Sequence, residues 1–403
     1  MRALQRLWIA ISCALAPVIA VAFGSKPGYA LIAIPVVLTV ARKSGAGSAV
    51  ALVGGTTAAL ALYAGLLRES GHDQRIYYRF HERFATWEPR LGHRAYLPGV
   101  TYRAREHGDL QILTQEPIAE PRDVAFHSDS DGFRNDRDYA GEPWVLVGDS
   151  FVLGVGTTQA ESLQSCLAPR GIRASNLAHP GDLLDSEVYW RSFTARHRRT
   201  ARLVLFLFEG NDFPGEGRAR LRAPWRVTLD ERARDLTAPL TRLATYRVTR
   251  TLTASFAARG ERDGARVQVF PLAGAPMAFY VPYMRQSRAT ALEEMAPVDA
   301  AFERLAPDLA AVFFIPTKYR VYQPWLFPEE RLPNASWQHL AGLCDEFHVS
   351  CTDLTPALIR RSEALLVSDA LTWWRDDTHW NGAGIDAASE VVAGVLHELE
   401  RKP

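Results

Sequence analysis

Three apolar runs open the chain, at residues 7–23, 29–41 and 49–67, where a membrane-spanning helix needs about 20 mostly apolar residues. The first and third match that length, and the shorter middle run fits a tilted span, a re-entrant segment or half of a hairpin. Residues 1–67 are therefore expected to hold two or three transmembrane helices. From 68 to about 136 the chain is polar, rich in arginine and aromatics and weakly periodic, which reads as a juxtamembrane lead-in. Then short apolar runs begin to alternate with helical periodicity. Strands are expected at 144–147, 174–177, 203–208, 310–315 and 349–353, and helices at 159–167, 183–196, 336–347 and 383–398. That alternation over 137–403 predicts one doubly wound α/β domain with a parallel sheet covered on both faces.

The alternation breaks between about 213 and 307, where an Arg-rich helical stretch precedes an expected hairpin at 266–281 turning near Ala273-Gly274. Insertions after the carboxyl end of a strand lie where open α/β sheets bind ligands, so this one reads as a cap; a structural elaboration packed on the membrane segment is the competing reading.

Charge settles the orientation of the apolar runs. Arg2 and Arg6 precede the first, and Arg42 and Lys43 follow the second, which places both ends of that pair in the cytoplasm. The third run then exits, leaving everything after it on the periplasmic or extracellular side of the cytoplasmic (inner) membrane. Reading the first run as a signal peptide cleaved near Ala20-Val21-Ala22 leads to the same side.

Composition adds mainly exclusions. A net charge of +1 supplies no basic field for nucleic acid. Four cysteines are too few for a disulfide scaffold; Cys344 and Cys351 are either a pair, if the domain lies outside the cytoplasm, or two buried thiols. No phosphate loop, His-Glu-x-x-His helix or paired Cys-x-x-Cys occurs, so neither cofactor nor catalytic metal is expected.

The chemistry resides at strand ends. Gly148-Asp149-Ser150-Phe151 follows the first strand, placing a hydroxyl at the carboxyl edge of the sheet beside backbone N–H groups. Asp376-Asp377-Thr378-His379 precedes the last helix and brings carboxylates and an imidazole onto one loop, the base a serine nucleophile requires. Asn176-Leu177-Ala178-His179-Pro180-Gly181 and Glu209-Gly210-Asn211-Asp212 follow the second and third strands. The Gly181 N–H and the Asn211 amide, with the Ser150 N–H, are the donors an oxyanion needs. His179 reads as a turn histidine or a pocket wall, and Trp373, Trp374 and Trp380 as core packing or a sugar-stacking surface.

In that order these blocks resemble the SGNH or GDSL esterases and lipases, over about 126–396. The resemblance implies a flavodoxin-like three-layer α/β/α sandwich, Ser150 as nucleophile, Ser150, Gly181 and Asn211 as the oxyanion hole, and His379 as base. It leaves two candidates for the acid, Asp377 and Asp376. The Asp377-Thr378-His379-Trp380 string is similar to proteins that O-acetylate alginate and related exopolysaccharides, which favours Asp377. Asp129-Ser130-Asp131-Gly132-Phe133-Arg134-Asn135 looks like a lead-in of bacterial membrane-tethered members, with a structural role bracing the first strand. Pro316-Thr317-Lys318-Tyr319-Arg320-Val321-Tyr322 resembles an element of the same proteins, with Lys318 at the site rim holding an anionic sugar or pairing with a carboxylate such as Asp212.

The expectation is thus an extracytoplasmic serine esterase acting on O-acyl, chiefly O-acetyl, esters of cell-envelope or exported glycans. The alternatives are an O-acetyltransferase served by a separate membrane acyl-donor protein, and a catalytically inactive glycan-binding protein.

Overall fold

The computed structural model describes residues 81, 84–88, 93–113, 118–197, 201–213, 267–293 and 295–401. The N-terminal apolar runs and the Arg-rich stretch of the insertion lie outside the described residues. Among the described residues, no helix is long and apolar enough to cross a membrane.

The described parts of 84–223 and 264–403 form one compact unit. Its centre is a five-stranded parallel sheet of β5 (Trp144–Val147), β6 (Ala174–Asn176), β7 (Arg202–Phe208), β10 (Leu309–Ile315) and β11 (Ser350–Asp353). The spatial order is β11-β10-β7-β5-β6, so numbered along the chain the five strands run 2-1-3-4-5, the flavodoxin-like doubly wound order. The order reverses between β5 and β7, which pair directly, Trp144 opposite Arg202 and Val147 opposite Leu205. In such sheets the crevice outside the carboxyl ends at the reversal is the ligand site.

Strand burial explains why this sheet forms. Trp144–Val147 and Leu203–Phe208 are buried at every position, the continuous apolar pattern of a strand covered on both faces. Val145, Val147, Leu203, Leu205, Val312 and Phe314 point to one side and share a core with Tyr189, Trp190 and Phe193 of α4 (Leu183–His197), Phe302 of α6 (Ala296–Leu305) and Leu340 of α8 (Ala335–Phe347). The alternate residues Leu146, Val204, Phe206 and Phe313, all at most 1% exposed, face the other side. There α10 (Gly382–Arg401) lies against β10 and packs on α3 (Leu163–Leu167) and on α9 (Thr355–Leu366). Cys344 on α8 and Cys351 on β11 are disulfide-bonded, with Cα atoms 6.1 Å apart.

From Phe84 onward the lead-in belongs to the same compact unit as the sheet. β3 (Thr101–Glu106) and β4 (Arg122–His127) form an antiparallel hairpin whose burial alternates along each strand, the period of a half-buried ribbon. Between them runs α1 (Asp109–Leu113). A smaller pair, β1 (Ala85–Glu88) with β2 (His93–Tyr96), precedes them. The Asp129–Asn135 lead-in ties this layer to β6 and to the turn after β5. Asn135 exchanges hydrogen bonds with the Asn176 backbone at 2.8 and 2.9 Å. The buried Arg134 guanidinium donates to the carbonyls of Ala125, Leu153, Gly154 and Thr157. The segment thus braces the β5 region, as its sequence suggested.

From the insertion the structure describes a hairpin, β8 (Val267–Leu272) and β9 (Ala275–Tyr280), followed by α5 (Val281–Ser287). It turns at Ala273 and Gly274, both with positive φ. It is stapled to the loop before α10: Arg375 donates to the carbonyls of Leu272, Ala273 and Ala275, and the Ala278 N–H donates to the Arg375 carbonyl at 2.9 Å.

Candidate active site

Ser150 is the first residue of a single helical turn, α2 (Ser150–Leu153), directly after β5. Asp149 caps that turn, its Oδ1 accepting the Phe151 N–H at 2.9 Å, and Gly154 ends it in the left-handed conformation. The tight strand-to-helix turn lifts the hydroxyl off the carboxyl edge of the sheet at the β5/β7 reversal. Across it, on the loop joining β11 and α9 to α10, His379 places Nε2 2.7 Å from Ser150 Oγ. Asp377 accepts from His379 Nδ1 at 2.8 Å and from the His379 backbone N–H at 3.0 Å with the same oxygen, Oδ1. A donor at Nδ1 leaves Nε2 as the acceptor for the serine proton. The Phe151 ring lies 4.7 Å from the imidazole centroid and Trp380 donates to the Phe151 carbonyl at 3.1 Å, so aromatic packing restrains the ring pair.

Of the two rival carboxylates, Asp377 meets the imidazole. Asp376 points away: its Oδ2 accepts the Gly108 and Glu120 N–H groups, each at 2.9 Å, and its carbonyl accepts the Leu110 N–H. It anchors the lead-in to the loop that carries His379. Glycine is required at 108, because a Cβ there would stand 1.9 Å from the Asp376 carbonyl oxygen.

Arg122, on β4, bridges the two aspartates. Its guanidinium donates to Asp376 Oδ1 at 2.8 Å and to Asp377 Oδ2, with further bonds to the carbonyls of Gly156 and Glu120. The arginine side chain is 5% exposed and both carboxylates are fully buried, so the planar fork holds Asp377 in place and offsets its charge. Asp109, at the start of α1, accepts both the N–H and the hydroxyl of Thr378 and lies 3.9 Å from His379 Nδ1. Sequence reasoning missed both residues. Each sits on an irregular or edge element more than 250 residues from its partner, where no local period marks it.

Asp109, Asp377 and His379 offer three ligand atoms within 4.8 Å of one another, a set that can in form hold a cation. Here Asp377 is bound to a guanidinium and Asp109 to a hydroxyl and an amide, and the imidazole nitrogens face Asp377 and Ser150. That donor pattern fits proton relay better than metal ligation.

Asn211 joins the block that follows β5 to the one that follows β6. The Asn211 amide donates to Asp149 Oδ2 at 3.0 Å and, more weakly, to the Gly181 carbonyl at 3.3 Å. The blocks after β5, β6 and β7 therefore meet at one point. Burial raises Asp149 from the ordinary carboxylate value, partly countered by the Phe151 N–H, His379 and Asn211. Burial, and then the proximity of Asp149, raises Asp212 well above it. Asp212 accepts the Phe208 N–H at 2.7 Å and closes the turn that presents Asn211.

Lys318 departs from its expected place at the site rim. It opens α7 (Lys318–Leu326) fully inside the protein, with Nζ 2.7–3.1 Å from the carbonyls of Ala278, Trp374, Arg375 and Asp377. It knots the catalytic loop to the β8–β9 hairpin and is not presented to a sugar or to Asp212. Burial pulls the ammonium down to about 7, against the raising influence of Asp377, Asp376, Asp109 and Glu120. Trp373 and Trp380 are fully buried core, and Trp374 lies under the Arg122 guanidinium at 4.5 Å. His179 is buried against Tyr96, ring centroids 4.8 Å apart.

Fold and site together define a parallel α/β domain with a Ser–His–Asp relay at the carboxyl edge of its sheet. No family model matches the chain, and no curated protein matches it. Among solved structures the chain is similar to LAE5, described as an alpha/beta hydrolase enzyme from the metagenome of Lake Arreo, Spain. The identity is 13% and the TM-score 0.29, over 64% of this chain and 98% of that one.

Proposed function

We propose that the protein is a serine esterase of the SGNH type acting through an acyl-enzyme, and the observation that carries this is the unbroken relay Ser150 Oγ–His379–Asp377, at 2.7 and 2.8 Å. Ser150 Oγ attacks the ester carbonyl carbon while its proton passes to His379 Nε2. Asp377 holds the ring tautomer and stabilises the imidazolium. The oxyanion takes donors from the Ser150 N–H, the Gly181 N–H and the Asn211 amide; the amide turns to it by giving up its long bond to the Gly181 carbonyl. Collapse expels the alcohol, which takes the proton from Nε2. Water, activated by the same imidazole, then releases the acid and restores the serine.

The substrates we assign are O-acyl, chiefly O-acetyl, esters of cell-envelope or exported glycans. This rests on the N-terminal apolar runs with their flanking charges, on the Cys344–Cys351 disulfide, a bond of oxidising compartments, and on the family resemblance. A glycan hydroxyl in place of water would make the same acyl-enzyme an O-acetyltransferase. The Asp377-Thr378-His379-Trp380 string favours that second reading, and a transferase would draw on a separate membrane partner for its acyl donor.

The test is p-nitrophenyl acetate turnover by the full-length chain beside Ser150→Ala and His379→Ala, with an active-serine phosphonate probe. Turnover and labelling lost in both variants support the mechanism, and acetyl transfer to added polysaccharide separates transferase from esterase. An inert parent whose Ser150 also resists the probe would sink the reading.

A further inference from the structure

Resting on the serine-hydrolase reading, we propose that Asp109 is a positioning residue for His379, a second carboxylate that shares the imidazolium charge with Asp377 through the Thr378 hydroxyl. The geometry is specific. Thr378 donates its hydroxyl proton to Asp109 Oδ2 and its N–H to Oδ1 at 2.7 Å. Because that proton is committed, a lone pair of Thr378 Oγ1 is turned to His379 Nδ1, 3.1 Å away. The Nδ1–H thus lies between Asp377 at 2.8 Å and the threonine oxygen, with Asp109 Oδ2 itself 3.9 Å from Nδ1.

The charges around the ring give this arrangement its purpose. Asp377, the direct partner, is held on its other oxygen by Arg122, and its backbone carbonyl accepts from Lys318 at 3.0 Å. Both cations draw on its capacity to stabilise an imidazolium. Asp109 sets a second negative charge 3.9 Å from Nδ1, and it also acts on Lys318. The remaining groups are Asp149, which also acts on His379, Ser150 on Nε2, and the uncharged Phe151 ring on the face of the imidazole. Asp376 and Glu120, with Asp377 and Asp109, act on the neighbouring Lys318. The lead-in therefore reaches the centre twice: Arg122 fixes the acid and Asp109 holds the Thr378 hydroxyl against the ring.

The experiment is a pH titration of histidine ring resonances in the full-length chain labelled with 15N-histidine, the His379 signal assigned with His379→Gln, for the parent, Asp109→Asn and Asp109→Glu. Removing a negative charge within about 4–6 Å of a cation moves its titration by about one pH unit or more. In Asp109→Asn the His379 midpoint is expected to fall by about that amount, and Asp109→Glu to recover most of it. The acidic limb of kcat/KM for p-nitrophenyl acetate should move down in step, with kcat lowered and KM little changed. A midpoint in folded Asp109→Asn that coincides with the parent overturns the proposal. Should that variant fail to fold by circular dichroism, Thr378→Val, which cuts the hydroxyl bridge while leaving the Asp109 charge, is read instead: a smaller fall of the midpoint is expected, and a midpoint that coincides with the parent overturns the proposal. Ester turnover that survives Ser150→Ala would defeat the hydrolase reading alone, since the ring titration reports Asp109–His379 coupling without any turnover.

Discussion

Arg122 offers the sharpest test of how the lead-in supports the site. Its side chain is 5% exposed between two fully buried carboxylates, and Arg122→Met keeps the bulk while deleting the charge and the fork. Breaking one partner out of a buried ion pair costs about 3–5 kcal/mol, because the remaining charge is left uncompensated. Asp376 retains two N–H donors at 2.9 Å, so the loss should fall mainly on Asp377, whose Oδ2 would lose its guanidinium. Set against the total stability of about 5–15 kcal/mol for a domain, a loss of about 3–5 kcal/mol brings the variant near the edge of folding. Urea denaturation followed by tryptophan fluorescence reads the loss, and Trp374, 4.5 Å from the guanidinium, lies where the change occurs. A cycle with Asp377→Asn isolates the pair: with the neutral amide already present, Arg122→Met should cost distinctly less. Arg122→Lys should fall between, since one ammonium cannot reproduce bonds to both aspartates and to Gly156. A loss under about 1 kcal/mol, or an equal loss with Asp377 and with Asn at 377, would refute this account of the clamp.

Other outcomes follow from the same geometry. Asp377→Asn should lower kcat by about 10³–10⁴-fold through loss of the correct tautomer, whereas Asp376→Asn should chiefly lower stability and leave the pH profile of turnover in place; steady-state kinetics beside denaturation curves separate the two. Lys318 carries a linkage signature: its folded value is about 7 against about 10.4 in an unfolded chain. The unfolded state therefore binds more protons between those values, so this group makes stability rise with pH from about 7 to about 10. Unfolding free energy against pH, compared with Lys318→Met, should show that rise in the parent and its absence in the variant. Reduction of the Cys344–Cys351 bond, which closes a short loop with a sequence separation of 7, should cost about 2–3 kcal/mol, seen as a lower denaturation midpoint in dithiothreitol; an unmoved midpoint would refute that contribution.

Much of the architecture is legible in the chain because it is locally encoded. A strand buried on both faces must be apolar at every position, so 144–147 and 203–208 announce themselves; glycine, asparagine and aspartate at the carboxyl ends mark the turns that become the site. The turn at Ala273-Gly274 was visible for the same reason, since positive φ favours glycine. The lead-in was harder. Its β3–β4 hairpin alternates correctly, but the inward positions include Glu106 and Arg122, and a buried charge reads as polar until its partners are known.

The Ser150, Gly181 and Asn211 blocks and the Asp376-Asp377-Thr378-His379 string were legible in the sequence because each follows a strand or precedes a helix at a position the doubly wound order brings to one edge. The residues alone left both adjacent carboxylates open, and only the family resemblance favoured Asp377, the one that meets the imidazole. Successive residues on a loop point in different directions, and those directions are set by distant partners: the N–H groups of Gly108 and Glu120 claim Asp376, leaving Asp377 for His379. The place of Lys318 was decided the same way, by four carbonyls converging from the hairpin and the catalytic loop. By itself the sequence determined the strands of the parallel sheet, their order along the chain and the edge where the candidate chemistry collects. Only the tertiary structure decided the pairing of charges there, because electrostatic partners separated by more than 250 residues leave no periodicity in the chain.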